Sequence, residues 1–182
     1  MNVHNGLEGI VAAETRLSMV DGERGELVIA GYRVEELAPR FTFEETVNLL
    51  FEASGGQAIL PVRTGRIACP PPEIPLMDAL RMGVASLSAE NDEDAAALLL
   101  GAFPVIVASH WRRQNGLEPV APREDLGYAA NYLYMLTGAL PHAELVRGLE
   151  TYLNTVVDHG LNASTFTARV IASTGSDLVS AI

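Results

Sequence analysis

The segment 158–169, which reads DHGLNASTFTAR, contains the side chains of this sequence that are best suited to catalysis. An apolar helical pattern leads into His159, Gly160 interrupts it, and a cluster of residue types common at helix starts follows. We expect His159 to lie in a bend close to a helix N-terminus, where free backbone N–H groups disfavour imidazolium. A neutral imidazole in such a bend can donate a hydrogen bond that polarises a carbonyl group. The competing interpretation is structural: His159 only caps the junction of two helices.

The other histidines and motifs offer weaker chemistry. His110 ends the most apolar stretch beside Trp111 and is expected to be a partly buried packing residue. His142 stands at a predicted helix start, and His4 stands in the N-terminal tail. The sequence has no Gly-x-Ser-x-Gly, no Gly-x-Gly-x-x-Gly and no ligand spacing typical of a metal site. We therefore expect neither a serine nucleophile nor a bound dinucleotide or metal.

The charge balance excludes further classes of function. The 182 residues include 12 basic and 23 acidic side chains, which gives a net charge of −11. So acidic a chain is a poor nucleic-acid binder, because phosphate binding needs a basic face. Every basic residue is an arginine, so no lysine can form a Schiff base or serve a P-loop.

Cysteine usage and hydropathy indicate the compartment. The single cysteine, Cys69, excludes an internal disulfide and fits a reducing environment. The N-terminus lacks the pattern of a signal peptide. The most apolar stretch, 95–111, is short for a membrane span and is interpreted as a buried helix. These features predict a cytoplasmic protein that binds neither membrane nor nucleic acid.

The elements that must position His159 are mostly helical. Two runs rich in β-branched residues, 11–20 and 26–30, flank a polar Gly-containing turn and predict a hairpin. Thr42 and Glu45 have the spacing of a capping box, which predicts a helix that ends at Gly55. A proline-rich connection over 56–75 precedes the remaining predicted helices, which are 76–88, 93–111, 125–137, 142–157 and 164 to the end. The expected fold class is mainly α, with residues 1–32 carrying the β-hairpin and residues 33–182 forming the helical part.

Several segments, in order, resemble the citrate synthases of bacteria and archaea, of the citrate or 2-methylcitrate type. They are GLEGIVAAETR (6–16), DGERG (21–25), GYRVEEL (31–37), FEE (43–45), MDALR (77–81), RQNGLEP (113–119), NYLYML (131–136), segment 158–169 and AST (172–174). The resemblance covers nearly the whole chain and identifies it with the N-terminal half of such proteins, a portion of their multi-helical large domain.

The resemblance implies a dimeric enzyme that condenses acetyl-CoA, or a related acyl-CoA, with oxaloacetate and binds no separate cofactor. In the family an aspartate removes a methyl proton, a neutral histidine stabilises the enolate and a second histidine acts on oxaloacetate. His159 matches the first of these histidines. Asn162 and Arg169 lie in the same matched segment and are expected to bind substrate.

The sequence departs from the family pattern in ways that bear on activity. The family continues into segments that carry the second histidine and the catalytic aspartate, and this sequence ends before them. Val156 and Tyr128 stand where relatives often have histidines. We therefore expect a truncated or split acyltransferase, inactive alone, that forms a homodimer or pairs with a complementary citrate-synthase-like chain. The alternative is a non-catalytic helical paralogue that binds or regulates a complete citrate synthase.

Overall fold

The computed structural model describes residues 13–56, 67 and 70–182. Within that part of the chain, the fold is mainly helical with one small antiparallel sheet, which confirms the predicted fold class. The strands are β1 (Ser18–Asp21), β2 (Glu26–Ile29) and β3 (Tyr32–Arg33). The helices are α1 (Val34–Leu37), α2 (Phe43–Ser54), α3 (Leu76–Ala85), α4 (Asp92–Gln114), α5 (Tyr128–Thr137), α6 (Ala143–Val156), α7 (Ala163–Ser173) and α8 (Leu178–Ala181).

The predicted hairpin is present but shorter than the pattern suggested, and a third strand extends it. Strand β1 begins only at Ser18, which pairs with the fully buried Ile29 of β2. The Asp21 carboxylate closes the turn by accepting from the backbone N–H groups of Glu23 and Arg24, each at 3.0 Å. The sheet order is β1-β2-β3.

Strand β3 was missed because its turn contains only one glycine. Ala30 has φ 47° and Gly31 has φ 89°, so two successive residues adopt the left-handed conformation that two-residue hairpin turns require. This turn places Tyr32 opposite Ile29. Alanine is an unusual residue in that conformation, so the sequence pattern gave little sign of it.

The capping signals predicted helix α2 correctly. The Thr42 hydroxyl accepts from the Glu45 N–H at 3.2 Å, and the Glu45 carboxylate accepts from the Thr42 N–H at 2.7 Å. Gly55 ends the helix in the left-handed conformation, with φ 89°.

The prediction of one helix from residue 164 to the end was wrong. Helix α7 ends at Ser173, and Gly175 follows with φ 83°. Asp177 then caps α8 by accepting from the Ser180 N–H at 2.9 Å. The apolar pattern continues across this break, and the two capping residues decide the geometry.

Helix α4 is the centre of a hydrophobic core cluster. It packs closely on α3, because a Cβ added to Gly83 would stand 2.7 Å from Ile106 Cδ1. Val84, Leu99, Ala102 and Ile106 form the buried cluster between the helices. By length and composition alone α4 could also cross a membrane, as could many core helices of water-soluble folds. Its contacts with α3, α5 and α8 agree with the predicted buried helix.

His110 lies at the end of this helix and is fully buried rather than partly buried as expected. Its Nε2 lies 3.0 Å from the Ile74 carbonyl oxygen. The predictions for His4, for Cys69 and for most of the proline-rich connection concern residues outside the described part of the chain.

Helix α6, which leads to His159, is held in place by two polar side chains. Arg147 donates to the carbonyl oxygens of Phe41 at 3.0 Å and Ala38 at 3.1 Å. The fully buried Asn154 donates to the same Phe41 oxygen at 2.8 Å. These bonds tie α6 to the connection between α1 and α2, so the chain enters the His159 bend from a fixed direction.

Candidate active site

The bend predicted around His159 is present and joins α6 to α7. Helix α6 ends at Val156, Gly160 turns the chain with φ 90°, and Asn162 caps α7. Asp158 Oδ1 accepts from the Gly160 N–H at 2.7 Å, which tightens the turn directly beside His159. The same oxygen accepts from the Ser18 hydroxyl of β1 at 2.8 Å. One carboxylate oxygen therefore joins the bend to the N-terminal hairpin.

The hydrogen bonds of Asn162 favour one tautomer of the His159 ring. Asn162 Oδ1 accepts from the Thr165 N–H at 2.8 Å, so its Nδ2 is the atom that faces His159 Nε2 at 3.2 Å. An amide nitrogen can only donate, so Nε2 must accept with its lone pair. In the neutral ring, this geometry places the proton on Nδ1, where it can act as a donor.

A cleft of about 340 Å³ contains all three residues predicted for the site. His159, Asn162 and Arg169 line it together with Val156, Val157, Asp158, Gly160, Leu161, Thr165, Thr15 and Leu17. Arg169 is exposed and, among the residues that the structure describes, has no hydrogen-bond or ion-pair partner. Its guanidinium is therefore available to an anionic ligand in the cleft.

Sequence reasoning missed the contribution of the N-terminal segment. Thr15 and Leu17 form one wall of the cleft, and Ser18 holds the bend from that side. These residues lie about 140 positions before His159 in the chain, and no local pattern connects segments that far apart.

Tyr128, one of the two positions at which the sequence departs from the expected histidines, lies outside the lining of this cleft. Its hydroxyl donates to the Leu100 carbonyl oxygen at 2.8 Å, and its ring packs against Phe43 with centroids 4.7 Å apart. Its backbone N–H donates to the Glu44 carboxylate. Burial, with the nearby Glu44 charge, raises the pKa of Tyr128 to about 12. Tyr128 thus has a packing role between α2, α4 and α5.

The cleft combines a histidine whose Nδ1 can donate with a guanidinium that has no partner among the described residues. A neutral Nδ1–H can stabilise a developing enolate oxygen, and a guanidinium can bind a carboxylate. Asp158 is the one carboxylate among the described lining residues, and its Oδ1 already accepts two hydrogen bonds. No group of three or more potential metal ligands occurs in the described part of the chain.

Comparison with known proteins identifies the class to which this fold and cleft correspond. The family model described as citrate synthase, C-terminal domain, matches residues 6–182. The chain is 35% identical to the 2-methylcitrate synthase of Mycobacterium tuberculosis over 204 residues, covering 100% of this chain and 52% of that protein. It is also 35% identical to the citrate synthase of Mycolicibacterium smegmatis, covering 99% of this chain and 54% of that protein.

Solved structures agree with the sequence comparisons. The crystal structure of citrate synthase from Thermotoga maritima superimposes with a TM-score of 0.82 at 31% identity, over 98% of this chain and 53% of that one. The structure from Pyrobaculum aerophilum gives a TM-score of 0.81 at 33% identity, over 94% of this chain and 51% of that one. The chain belongs to the citrate synthase family, as the sequence motifs predicted. It spans about half the length of the curated relatives it matches.

Proposed function

We propose that the His159 cleft is part of a site that condenses an acyl-CoA, acetyl-CoA or propionyl-CoA, with oxaloacetate. The observation that carries this proposal is the His159 imidazole, which contacts Asn162 and lines the same cleft as Arg169, an arginine with no partner in the described part of the chain. In this proposal the His159 Nδ1–H stabilises the enolate oxygen formed from the thioester. Arg169 binds a carboxylate of oxaloacetate, and acyl-CoA enters as a substrate, so no separate cofactor is required.

We further propose that this chain is inactive alone and acts with a partner. Enolisation needs a positioned base as well as a donor, and the only carboxylate among the described lining residues is already engaged at Oδ1. The partner would be a complementary citrate-synthase-like chain or a second copy of this one.

Exposed apolar side chains on α6 and α7 support an association of this kind. Leu145 and Tyr152 on α6 are 60% and 62% exposed, and Val170 on α7 is 48% exposed. Val156 is also exposed and lines the cleft itself, so the apolar surface reaches the site. The acidic charge balance argues against a nucleic-acid partner. The packing of α4 on α3, α5 and α8 argues against a membrane partner, and the single cysteine supports a cytoplasmic location.

The test is a coenzyme A release assay with oxaloacetate and either acyl-CoA. The chain is measured alone and then mixed with the portion of the Thermotoga maritima citrate synthase that it does not match. We expect background rates alone and clear turnover in the mixture. His159→Gln should lower the turnover of the mixture by roughly 100-fold or more.

The matched control is His142→Gln, which changes an exposed histidine at the α6 N-terminus that makes no side-chain cap bond. This variant should leave turnover unchanged. Full turnover with His159→Gln would refute the proposed role of His159. A mixture that binds but shows no turnover would favour the non-catalytic paralogue that regulates a complete relative.

A further inference from the structure

We infer that Ser18 is a positioning residue for His159 and that it acts through Asp158. The inference rests on the proposed function of the His159 cleft, because it assigns Ser18 a part in orienting the His159 side chain of that site. Nothing in the segment around His159 identifies Ser18, which lies 140 positions earlier in the chain than Asp158.

The link consists of two short hydrogen bonds to one atom. Asp158 Oδ1 accepts from the Ser18 hydroxyl at 2.8 Å and from the Gly160 N–H at 2.7 Å. Asp158 and Gly160 are the two immediate neighbours of His159 in the chain. Fixing both of them fixes the backbone from which the imidazole projects.

The Ser18 hydroxyl comes from a rigid support. Ser18 pairs with the fully buried Ile29 in the β1–β2 ladder. The neighbouring Leu17 carbonyl oxygen accepts from the Ala30 N–H at 2.7 Å, which continues the ladder by one bond. The donor is therefore held by the sheet, and the exposed bend at His159 is oriented against it.

The same contact joins the two walls of the cleft. Thr15 and Leu17 lie on the wall contributed by the N-terminal segment, and His159 and Asn162 lie on the other. Val20 approaches the bend as well, since its Cγ2 would be 3.8 Å from a Cβ placed on Gly160. The Ser18–Asp158 bond thus sets both the width of the cleft and the orientation of its donor.

Loss of the hydroxyl should loosen the bend without removing any group that contacts substrate. Asp158 would retain only its bond within the turn, and the His159–Asn162 contact would become intermittent. Because a residue that lines the cleft would be less well placed, kcat/KM should fall by roughly 10- to 100-fold.

The experiment compares Ser18→Ala with Ser18→Thr, which keeps a hydroxyl on a residue favoured in strands. The primary measurement is long-range ¹H–¹⁵N NMR of the His159 ring in the full chain, which reports the tautomer directly. The second is kcat and KM of the complemented mixture, which is this chain together with the portion of the Thermotoga maritima citrate synthase that it does not match. The control is Ser54→Ala, which removes an exposed hydroxyl that bonds only to the Phe51 carbonyl oxygen of its own helix, at 2.7 Å.

We expect the distinct Nδ1 and Nε2 signals of His159 to move toward averaging in Ser18→Ala, and to remain as in the parent chain in Ser18→Thr and Ser54→Ala. Unchanged ring signals in a folded Ser18→Ala would overturn the inference even if the mixture is active. A disturbed ring in a chain that never supports turnover would keep the Ser18–His159 link and reject the catalytic function.

Should Ser18→Ala fail to fold, Asp158→Asn tests the same hydrogen bond by changing its acceptor instead of its donor. Its amide retains an oxygen for the two donors but loses the negative charge that strengthens both bonds. Averaging of the His159 ring signals in this variant supports the inference, and unchanged signals contradict it.

Discussion

The Tyr128 hydroxyl donates to the Leu100 carbonyl oxygen at 2.8 Å, and Leu100 is the residue whose usual helical partner is Pro104. Proline has no N–H, so the carbonyl four residues before it loses its hydrogen bond inside α4. Tyr128 at the start of α5 replaces that donor. The side chain at position 128 therefore satisfies the backbone of a core helix.

This relationship predicts a specific coupling between Tyr128 and Pro104. Tyr128→Phe should lower the free energy of unfolding by about 1–2 kcal/mol, because the Leu100 carbonyl is left without a donor. In a Pro104→Ala background, the new backbone N–H can bond to Leu100, and the same substitution should cost roughly half as much. Urea unfolding of the four proteins measures the coupling. Equal costs in both backgrounds would show that the hydroxyl does not compensate for the proline.

The burial of Tyr128 predicts a loss of stability at alkaline pH. The folded pKa of about 12 lies above the ordinary value of 10.0. The stability that the neutral Tyr128 hydroxyl contributes to the folded state is therefore fully present below about pH 10 and is lost as the pH rises through 12. At most about 3 kcal/mol is involved. Absorbance at 295 nm should show one tyrosine that ionises last, and Tyr128→Phe should remove that step. A last step that survives the substitution would assign it to another tyrosine.

The two hydrogen bonds of Asn162 can be separated by substitution. Asn162→Asp keeps the cap on Thr165 but replaces the donor to His159 with an acceptor, which should move the ring proton to Nε2. We expect thermal stability to change by less than about 0.5 kcal/mol and complemented turnover to fall. Asn162→Ala removes the cap as well and should cost about 1 kcal/mol. The ¹⁵N signals of His159 distinguish the tautomers, and an Nδ1-protonated ring in Asn162→Asp would contradict the assignment.

Arg169 is predicted to act on binding more than on the chemical step. Arg169→Gln should raise the KM for oxaloacetate in the complemented mixture by roughly 10-fold or more, because a charge-assisted bond to a carboxylate is lost. The control is Arg81→Gln, which removes an exposed arginine paired with Asp78 on α3. If both variants behave alike, Arg169 has no special role in the cleft.

The fold was predictable where the determining signals are local. Thr42, Glu45 and Gly55 fix both ends of α2 through contacts within a few residues, and the pattern around Gly160 placed the bend before α7 correctly. The break at Gly175 was missed because apolar spacing continues through it. Strand β3 was missed because its turn depends on an alanine with positive φ.

The candidate site was predictable only in part, for the same reason. His159, Asn162 and Arg169 are close in sequence, and the resemblance of segment 158–169 placed them together; all three line one cleft. The wall formed by Thr15 and Leu17, and the bond from Ser18, depend on tertiary packing across most of the chain. Helical and strand periodicities carry no information about such pairs.

The Ser18–Asp158 bond also has a consequence for the order of folding. It closes a loop of about 140 residues, and closing so long a loop costs chain entropy. The bond becomes favourable only after the intervening helices have packed and brought the two ends together. Contacts of such long range form late, and during synthesis the hairpin leaves the ribosome long before Asp158 is made. The helices can therefore assemble first, and the cleft beside His159 is completed only in the last steps, when the earliest and latest parts of the described chain meet.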